Sequence, residues 1–218
     1  MFYFLCVDFT LMNQKTEEQA RRHQVLMVAW KLMSTKGIKA VTMEELTDEL
    51  SMSKRTLYEL LHDKKAIVRA LLMELNVPEK MKTVPQEGDS LDYLLKMTLK
   101  GWNAHRKISP LFFRDLEVYY PEVWKEFTGL VQQRHRKLLV KLLTQGIKEG
   151  VFRSDIDVRA VSVILAEGTE WMMHYQVMAE SVLSPEQLLR QFNILLVYGV
   201  VASSHVERVT RFFAHEMK

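Results

Sequence analysis

A chain of 218 residues is long enough for one or two domains, and 48% hydrophobic residues can bury a core, which excludes a globally disordered protein. The net charge is only +3, so a strongly basic surface must come from local clustering of lysine and arginine. The single cysteine, Cys6, excludes an internal disulfide and fits a reducing compartment, so we expect a cytoplasmic protein.

The amino-terminal segment MFYFLCVDFTLM is apolar. It is too short for a bilayer span of about 20 residues, and it lacks the basic region and cleavage site of a signal peptide. Two interpretations stay open: residues 1–11 precede a true start at Met12, or they form an arm that packs on the body or on a partner. No other segment is long and apolar enough for a membrane helix, so we expect no membrane partner.

The periodicity of the chain is helical throughout. Glycine and proline are sparse, at 8 and 5 residues, and apolar residues recur at helical spacing without the alternation of strands. This predicts an all-α fold. The predicted helices cover about residues 16–36, 43–50, 54–61, 64–82, 90–106, a short stretch from 110, 121–150, 158–180, 185–201 and 205–218, with a linker at 83–90 and a connector at 151–157.

Helix starts in the amino-terminal third carry capping residues and misplaced charges. Thr42 and Glu45 match a capping box, and Ser53 and Asp63 are placed to cap the next two helices. Cations in a first helical turn oppose the helix dipole, yet both of those helices begin with two: Lys54 and Arg55, then Lys64 and Lys65. A bound phosphate would make these charges favourable, whereas the other interpretation is solvated lysines, which fits Lys65 best.

Three short helices within residues 24–61 need one another to bury their apolar faces. Two of them are joined by a three-residue turn, which is the helix-turn-helix arrangement whose second helix can enter a major groove. The hydrophobic pattern leaves the hydrogen-bonding and basic side chains of that helix off the core: Lys54, Arg55, Thr56 and Tyr58.

The segment GIKAVTMEELTDELSMSKRTLYELLHDKKAIVRALL resembles the helix-turn-helix domain of tetracycline-repressor (TetR) family regulators. The matching features are Gly37, Thr42, the run SKRTLY at 53–58, Leu61 and Lys64. Ser51 stands where a turn glycine is usual. The resemblance covers residues 21–72 closely and the rest through helix number and order.

The resemblance implies a DNA-binding domain over residues 13–72 and a helical regulatory and dimerisation domain over 73–218. It places Thr42 and the second helix on the DNA backbone and makes the third helix, capped by Ser53, the recognition helix. Its phosphate contacts would be Tyr58 and Lys64. The candidates for reading bases would be Lys54, Arg55 and Thr56, although Arg55 could equally hold a phosphate. The acidic second helix is expected to face away from DNA.

For the second domain the resemblance implies ligand sensing and dimerisation. Aromatic residues, methionines and two histidines suit an adaptable apolar pocket, although they also suit an ordinary core. The candidates are Trp102, His105, Phe112, Trp171, Met172, His174, Tyr175 and Met178. The long apolar helices near 158–180 and 185–201 are candidates for a two-fold interface.

Motifs of enzymes and of metal or cofactor sites are absent, because the sequence contains no GxSxG, Walker A, GxGxxG or HExxH pattern. We therefore expect no catalytic residues, no metal and no cofactor. The sequence predicts a homodimeric regulator, with repression as the default, that binds a palindromic operator and responds to a small apolar effector. The rival hypothesis is a helical small-molecule- or partner-binding module with a vestigial DNA-binding head, and the acidic second helix favours it.

Overall fold

The computed structural model describes residues 17–75, 90–172, 174–180 and 184–217, and within these ranges the chain is α-helical. The apolar residues 1–12 and most of the predicted linker lie outside them. The described helices are α1 (Glu17–Lys36), α2 (Met43–Leu50), α3 (Lys54–Leu60), α4 (Lys64–Ala70), α5 (Ser90–His105), α6 (Pro110–Tyr119), α7 (Pro121–Lys148), α8 (Val158–Trp171), α9 (Tyr175–Glu180), α10 (Pro185–Val200) and α11 (Val206–His215).

The head of the molecule consists of α1–α4. Helices as short as α2 and α3 are not stable alone in water, and here they share one core with α1 that contains Ala29, Leu46 and Leu57, each with no exposed surface. A π-helical turn, Leu71–Leu75, continues α4. The predicted helix-turn-helix arrangement is confirmed.

The predicted caps define where the head helices begin. The Thr42 hydroxyl accepts from the backbone amide of Glu45 at 3.0 Å, the Ser53 hydroxyl from that of Thr56 at 3.1 Å, and the Asp63 carboxylate from that of Ala66 at 2.7 Å. Each bond satisfies a backbone donor that has no partner in the first helical turn. These three local predictions are therefore confirmed.

The body is organised around the 28-residue helix α7, which packs against α5, α6 and α8. Its inner face is apolar and aromatic, with Phe127, Leu139, Leu142 and Leu143 fully buried. At the end of α7 the chain turns through Gly150, whose φ of 74° lies in the left-handed region that glycine adopts freely.

The prediction of one continuous helix over residues 158–180 is wrong. Helix α8 ends at Trp171 and a separate helix, α9, begins at Tyr175. The reason lies in α6, where the Glu117 carboxylate accepts from the Tyr175 backbone amide at 3.2 Å and also contacts His174 Nδ1 at 2.9 Å. Glu117 thus acts as an N-terminal cap supplied from another helix, which apolar periodicity cannot reveal.

The head is joined to the body through α6. The Ser109 amide, just before α6, donates to the Ser34 carbonyl oxygen at 2.7 Å. The Trp30 ring meets the Phe112 ring edge to face, with centroids 5.5 Å apart. Gly37, with φ of 86°, lies so close to α6 that a β-carbon there would be 3.0 Å from the Leu111 β-carbon.

Candidate nucleic-acid interface

The outward face of α3 is the exposed polar surface of the helix-turn-helix. Leu57 and Leu61 are buried on the inner face. Because successive helical residues are rotated by about 100°, Arg55 lies at the centre of the opposite face, with Tyr58 and Glu59 on either side of it. All three side chains are exposed. The position of Glu59 was not singled out from the sequence, although its spacing of four residues from Arg55 is a readable signal.

Lys54, the first residue of α3, is held by an acid of α2. Its ammonium lies 2.5 Å from Oε1 of Glu44. This hydrogen bond is the main cause that raises the pKa of Lys54 and lowers the pKa of Glu44. Glu44 therefore does not face away from the predicted DNA surface as expected, but neutralises one of its cations. Glu44 therefore competes with DNA for Lys54.

Two other acids of α2, Glu45 and Glu49, pair with α1. Glu45 pairs with Lys36 at 2.5 Å and Glu49 with Lys31 at 3.1 Å. The acidic character of α2 is thus largely compensated by neighbouring helices of the same head.

Ser53 and Thr56 have their hydroxyls joined at the start of α3. The two oxygens are 2.9 Å apart, and the Ser53 hydroxyl also caps the helix. Thr56 is half-buried, whereas Ser53 and Thr42 are exposed. The roles of all three in DNA binding stay predictions.

The two lysines at the start of α4 differ in environment. Lys64 is half-buried, its ammonium lies 3.4 Å from the Lys39 carbonyl oxygen, and burial lowers its pKa. Lys65 is exposed and pairs with Glu122 of α7 at 2.8 Å. Lys65 therefore connects the head to the body, whereas Lys64 stays a predicted phosphate contact.

A groove of about 490 Å³ separates the start of α1 from α3. It is lined by Glu17, Glu18, Arg21, Thr56, Glu59 and Leu60. Three carboxylates against one guanidinium make this flank of α3 unsuitable for a phosphate. A DNA backbone would therefore be disfavoured in this groove.

The predicted ligand-binding residues differ in their surroundings. Trp102 and Phe112 are buried, and the His105 ring stacks on Phe113 with centroids 5.4 Å apart. Burial lowers the pKa of His105 to about 3, so the ring is neutral at physiological pH. These residues belong to an aromatic region between α5, α6 and α7.

The predicted residues at the end of α8 and in α9 differ in exposure. Trp171 is 54% exposed, and Met172 is buried. His174 and Tyr175 meet α6 through the capping interaction of Glu117. The side chain of Met178 lies outside the described part of the structure. Their roles as ligand contacts stay predictions.

The aromatic region also contains buried hydrogen-bond donors. Thr98 Oγ1, Trp102 Nε1 and Trp124 Nε1 are buried and have no hydrogen-bond partner among the described residues. Trp124 packs on Phe113, with ring centroids 6.2 Å apart. Buried donors are normally satisfied, so this region suits a molecule that offers acceptor atoms. Thr98 was not predicted as a site residue, because a threonine within a helix gives no such signal in the sequence.

Helices α8 and α10 expose an apolar surface. Ile164 is 61% exposed and Leu195 is 72% exposed. The two helices meet where a β-carbon at Gly168 would lie 2.9 Å from the Phe192 ring. Exposed apolar side chains on adjacent helices mark a surface suited to association.

Neither a metal site nor a membrane span is found in the described ranges. No group of three or more potential ligand side chains there could hold a metal ion. Among the described helices, none combines the length and apolar character that a bilayer crossing requires.

Comparison with protein families locates the match in the head. Residues 25–71 match the family model described as bacterial regulatory proteins, tetR family. The matched range covers most of α1 and all of α2–α4.

Comparison with individual proteins extends the similarity to most of the chain. The chain is 22% identical to the HTH-type transcriptional repressor KstR2 of Mycolicibacterium smegmatis, over 86% of this chain and 94% of the relative. It is 26% identical to the HTH-type transcriptional regulator YvkB of Bacillus subtilis, over 82% of this chain and 96% of that relative. The fold matches that of the ketosteroid transcriptional regulator KstR2 of Mycobacterium tuberculosis with a TM-score of 0.55 at 20% identity, over 91% of this chain and 100% of that chain.

Proposed function

The chain belongs to the TetR family of DNA-binding transcriptional regulators, and we propose that it is a homodimeric repressor whose operator binding is modulated by a small apolar effector. It is not an enzyme. The observation that carries the proposal is the exposed α3, which presents Arg55 and Tyr58 beside a capped start. We assign residues 13–72 to DNA binding and 73–218 to regulation and dimerisation.

Paired heads would read a palindromic operator. A two-fold dimer places two recognition helices on half-sites about one helical turn, or a multiple of it, apart. The exposed apolar surface formed by Ile164 and Leu195 supports a dimer built through α8 and α10. The groove contacts in each half-site would come from α3, and the proposed contact set is Thr42, Ser53, Lys54, Arg55, Thr56, Tyr58 and Lys64.

Repression is supported by the relatives, since KstR2 is named a transcriptional repressor. A repressor that blocks access to its operator needs only to bind tightly there. The helix-turn-helix of α2 and α3 is suited to that task. Because its target would be the chromosome of a bacterium, we propose that it works in the cytoplasm.

The effector would bind in the aromatic region between α5, α6 and α7. The buried donors of Thr98, Trp102 and Trp124 support an apolar molecule that carries acceptor atoms such as carbonyl oxygens. Ketosteroids have this chemistry, and one similar structure is described as a ketosteroid regulator. The effector must bind one arrangement of the heads better than the other, since otherwise it shifts nothing.

Operator titration over salt tests the DNA-binding part of the proposal. Duplexes selected by the full-length protein from a random pool should bind more tightly than unselected DNA, and log affinity should fall steeply with log salt. Lys64→Ala should weaken binding to all duplexes about equally and reduce the magnitude of the salt slope by about one. Lys137→Ala, which removes an exposed cation on α7, is the matched control and should change neither value.

The competing hypothesis of a vestigial head makes the opposite prediction. Glu44 already holds Lys54, and on that hypothesis the pair persists and no duplex is preferred at any salt concentration. Equal affinity for selected and unselected DNA would therefore reject the repressor and favour a partner-binding or small-molecule-binding module.

A further inference from the structure

We propose that Glu59 is a positioning residue that orients Arg55 to read a guanine in the operator. The inference rests on the proposed operator binding by α3 and adds a specificity-determining residue that the family resemblance does not supply. It also decides between the two roles that the sequence leaves open for Arg55.

The contact between the two side chains leaves the reading atoms of Arg55 available. Nε of Arg55 donates to Oε1 of Glu59 at 2.9 Å. No other hydrogen bond of this guanidinium is present in the described part of the chain, so both terminal nitrogens keep their donors available. A guanidinium reads guanine through two donors that reach O6 and N7. The Glu59 carboxylate thus holds the guanidinium at Nε and leaves its two terminal nitrogens available for guanine.

Both side chains are exposed and free to meet DNA. Arg55 is 88% exposed and Glu59 is 60% exposed. They lie one turn apart on the same strip of α3. An exposed pair of this kind contributes little to folding stability. We therefore explain its geometry by the orientation that it gives to the Arg55 guanidinium.

The position of Glu59 favours a base contact for Arg55 over a phosphate contact. Any docking that brings Arg55 to DNA also brings Glu59, because both occupy the outward face of α3. A carboxylate beside Arg55 would repel a phosphate that Arg55 held. The acceptors on the guanine edge carry no net charge, so Glu59 can stay bound to Nε while the terminal nitrogens engage O6 and N7.

The neighbouring pair of Lys54 and Glu44 behaves differently. Lys54 has one ammonium group, which Glu44 already holds at 2.5 Å. Glu44 therefore competes with DNA for the one nitrogen of Lys54, whereas Glu59 contacts Nε of Arg55 and leaves the two terminal nitrogens to the DNA.

The experiment measures discrimination at single base pairs with the full-length protein. Duplexes selected from a random pool supply the operator, and each G·C pair in it is replaced in turn by A·T. Dissociation constants are then compared for the unaltered protein and for Glu59→Gln, Arg55→Ala and Arg55→Lys. Glu49→Gln, which removes an equal charge from the head but lies in α2 and pairs with Lys31, is the matched control.

The unaltered protein should prefer G·C at one half-site position by about 10-fold to 100-fold. Arg55→Ala should abolish that preference, and Arg55→Lys should reduce it, because lysine lacks both the planar pair of donors and the Nε that Glu59 holds. Glu59→Gln should tighten binding to unrelated DNA, since a negative charge is removed, while it reduces the preference at that position by about 3-fold to 10-fold. Glu49→Gln should leave the preference unchanged.

Two results would overturn the inference. If Glu59→Gln tightens binding to every duplex by the same factor and keeps the preference intact, Glu59 is only a surface charge. If Arg55→Ala keeps every base preference, Arg55 does not read bases. In both cases the unaltered protein still selects an operator, whereas failure of the proposed function itself would appear as no selection at all.

Discussion

The carboxylate of Asp115 accepts a hydrogen bond from the backbone amide of Lys39, with 2.6 Å between Oδ2 and the nitrogen, across 76 residues of chain. Asp115 is buried, and its other oxygen pairs with Arg114 at 2.8 Å. The bond joins α6 of the body to the loop that follows α1 of the head. A displacement of α6 would therefore move the loop between α1 and α2. An effector that acts on the head requires a mechanical connection of this kind.

Asp115→Ala should destabilise the protein by about 2 kcal/mol, because a partly buried amide loses a charged acceptor. Asp115→Asn should cost less, since an amide oxygen can still accept from Lys39. Urea denaturation checks both values. Asp155→Ala, which breaks an exposed pair with Arg153, is the control and should leave the midpoint nearly unchanged; an equal loss in Asp115→Ala and Asp155→Ala would contradict the role of the bond.

Ser51→Gly should stabilise the protein by about 0.5–1 kcal/mol. Ser51 has φ of 50°, in the left-handed region where a β-carbon is strained and glycine is not. Ser51→Ala keeps the β-carbon and should bring no gain. Thermal unfolding of the three proteins measures the difference, and equal stability of the glycine and alanine variants would show that the backbone strain is absent.

Features set by neighbouring residues could be predicted from the sequence. Ser184, for example, lies directly before Pro185 and three residues before Gln187, and the structure contains the resulting capping box. The turn at Ser51 is also local: its backbone is left-handed, which is the conformation that the glycine usual at this position adopts freely.

Features set by distant residues could not be predicted. Glu117 of α6 caps α9, and Asp115 of α6 accepts a hydrogen bond from the backbone amide of Lys39, 76 residues earlier. Such contacts depend on how helices pack, which periodicity does not specify. The pairing of Lys54 with Glu44 belongs to the same class, because it joins two helices across the turn.

Acid should destabilise the protein through the buried His135. Burial lowers the pKa of His135 to about 3 from 6.5. As the pH falls below 6.5, His135 therefore takes up a proton in the unfolded chain but stays neutral in the folded protein. The free energy of unfolding should decrease by up to about 1.4 kcal/mol per pH unit between pH 6.5 and 3 from this group. It should be constant above pH 6.5 as far as His135 is concerned.

His135→Leu should reduce this pH dependence, because leucine has no proton to take up, whereas the contribution of the buried His105 should remain. Urea denaturation at pH 7.5 and at pH 5 measures the change in stability for both proteins. A substitution at the exposed His62 is the control and should leave the difference between the two pH values as it is. If His135→Leu and the unaltered protein lose equal stability, the titration of His135 is not responsible.

Ile164→Glu and Leu195→Glu should weaken the dimer. Both side chains are largely exposed in the single chain and would be buried in the proposed interface of α8 and α10. Replacing an apolar contact with a carboxylate should raise the dimer dissociation constant by about tenfold or more. Sedimentation at several concentrations measures it. Val118→Glu, on α6 and equally exposed at 61%, should leave the dimer intact, and an equal effect there would argue against this interface.

Two glycines of α7 should respond to alanine in opposite directions. A β-carbon at Gly146 would lie 2.1 Å from Cδ2 of Phe152, whereas one at Gly129 would meet nothing within 4 Å. Gly146→Ala should therefore destabilise the protein by about 1–3 kcal/mol, because the buried ring must move. Gly129→Ala should stabilise it by about 0.5–1 kcal/mol through helix propensity.

Phe152 provides the test of the cause. It is buried and forms a bridge with Val201, so it has little room to shift. Gly146→Ala combined with Phe152→Ala should be less destabilising than the sum of the two single changes, because the clash is removed once the ring is gone. Urea denaturation of the four proteins completes the cycle, and simple additivity would show that the close approach of Phe152 is not what requires glycine at position 146.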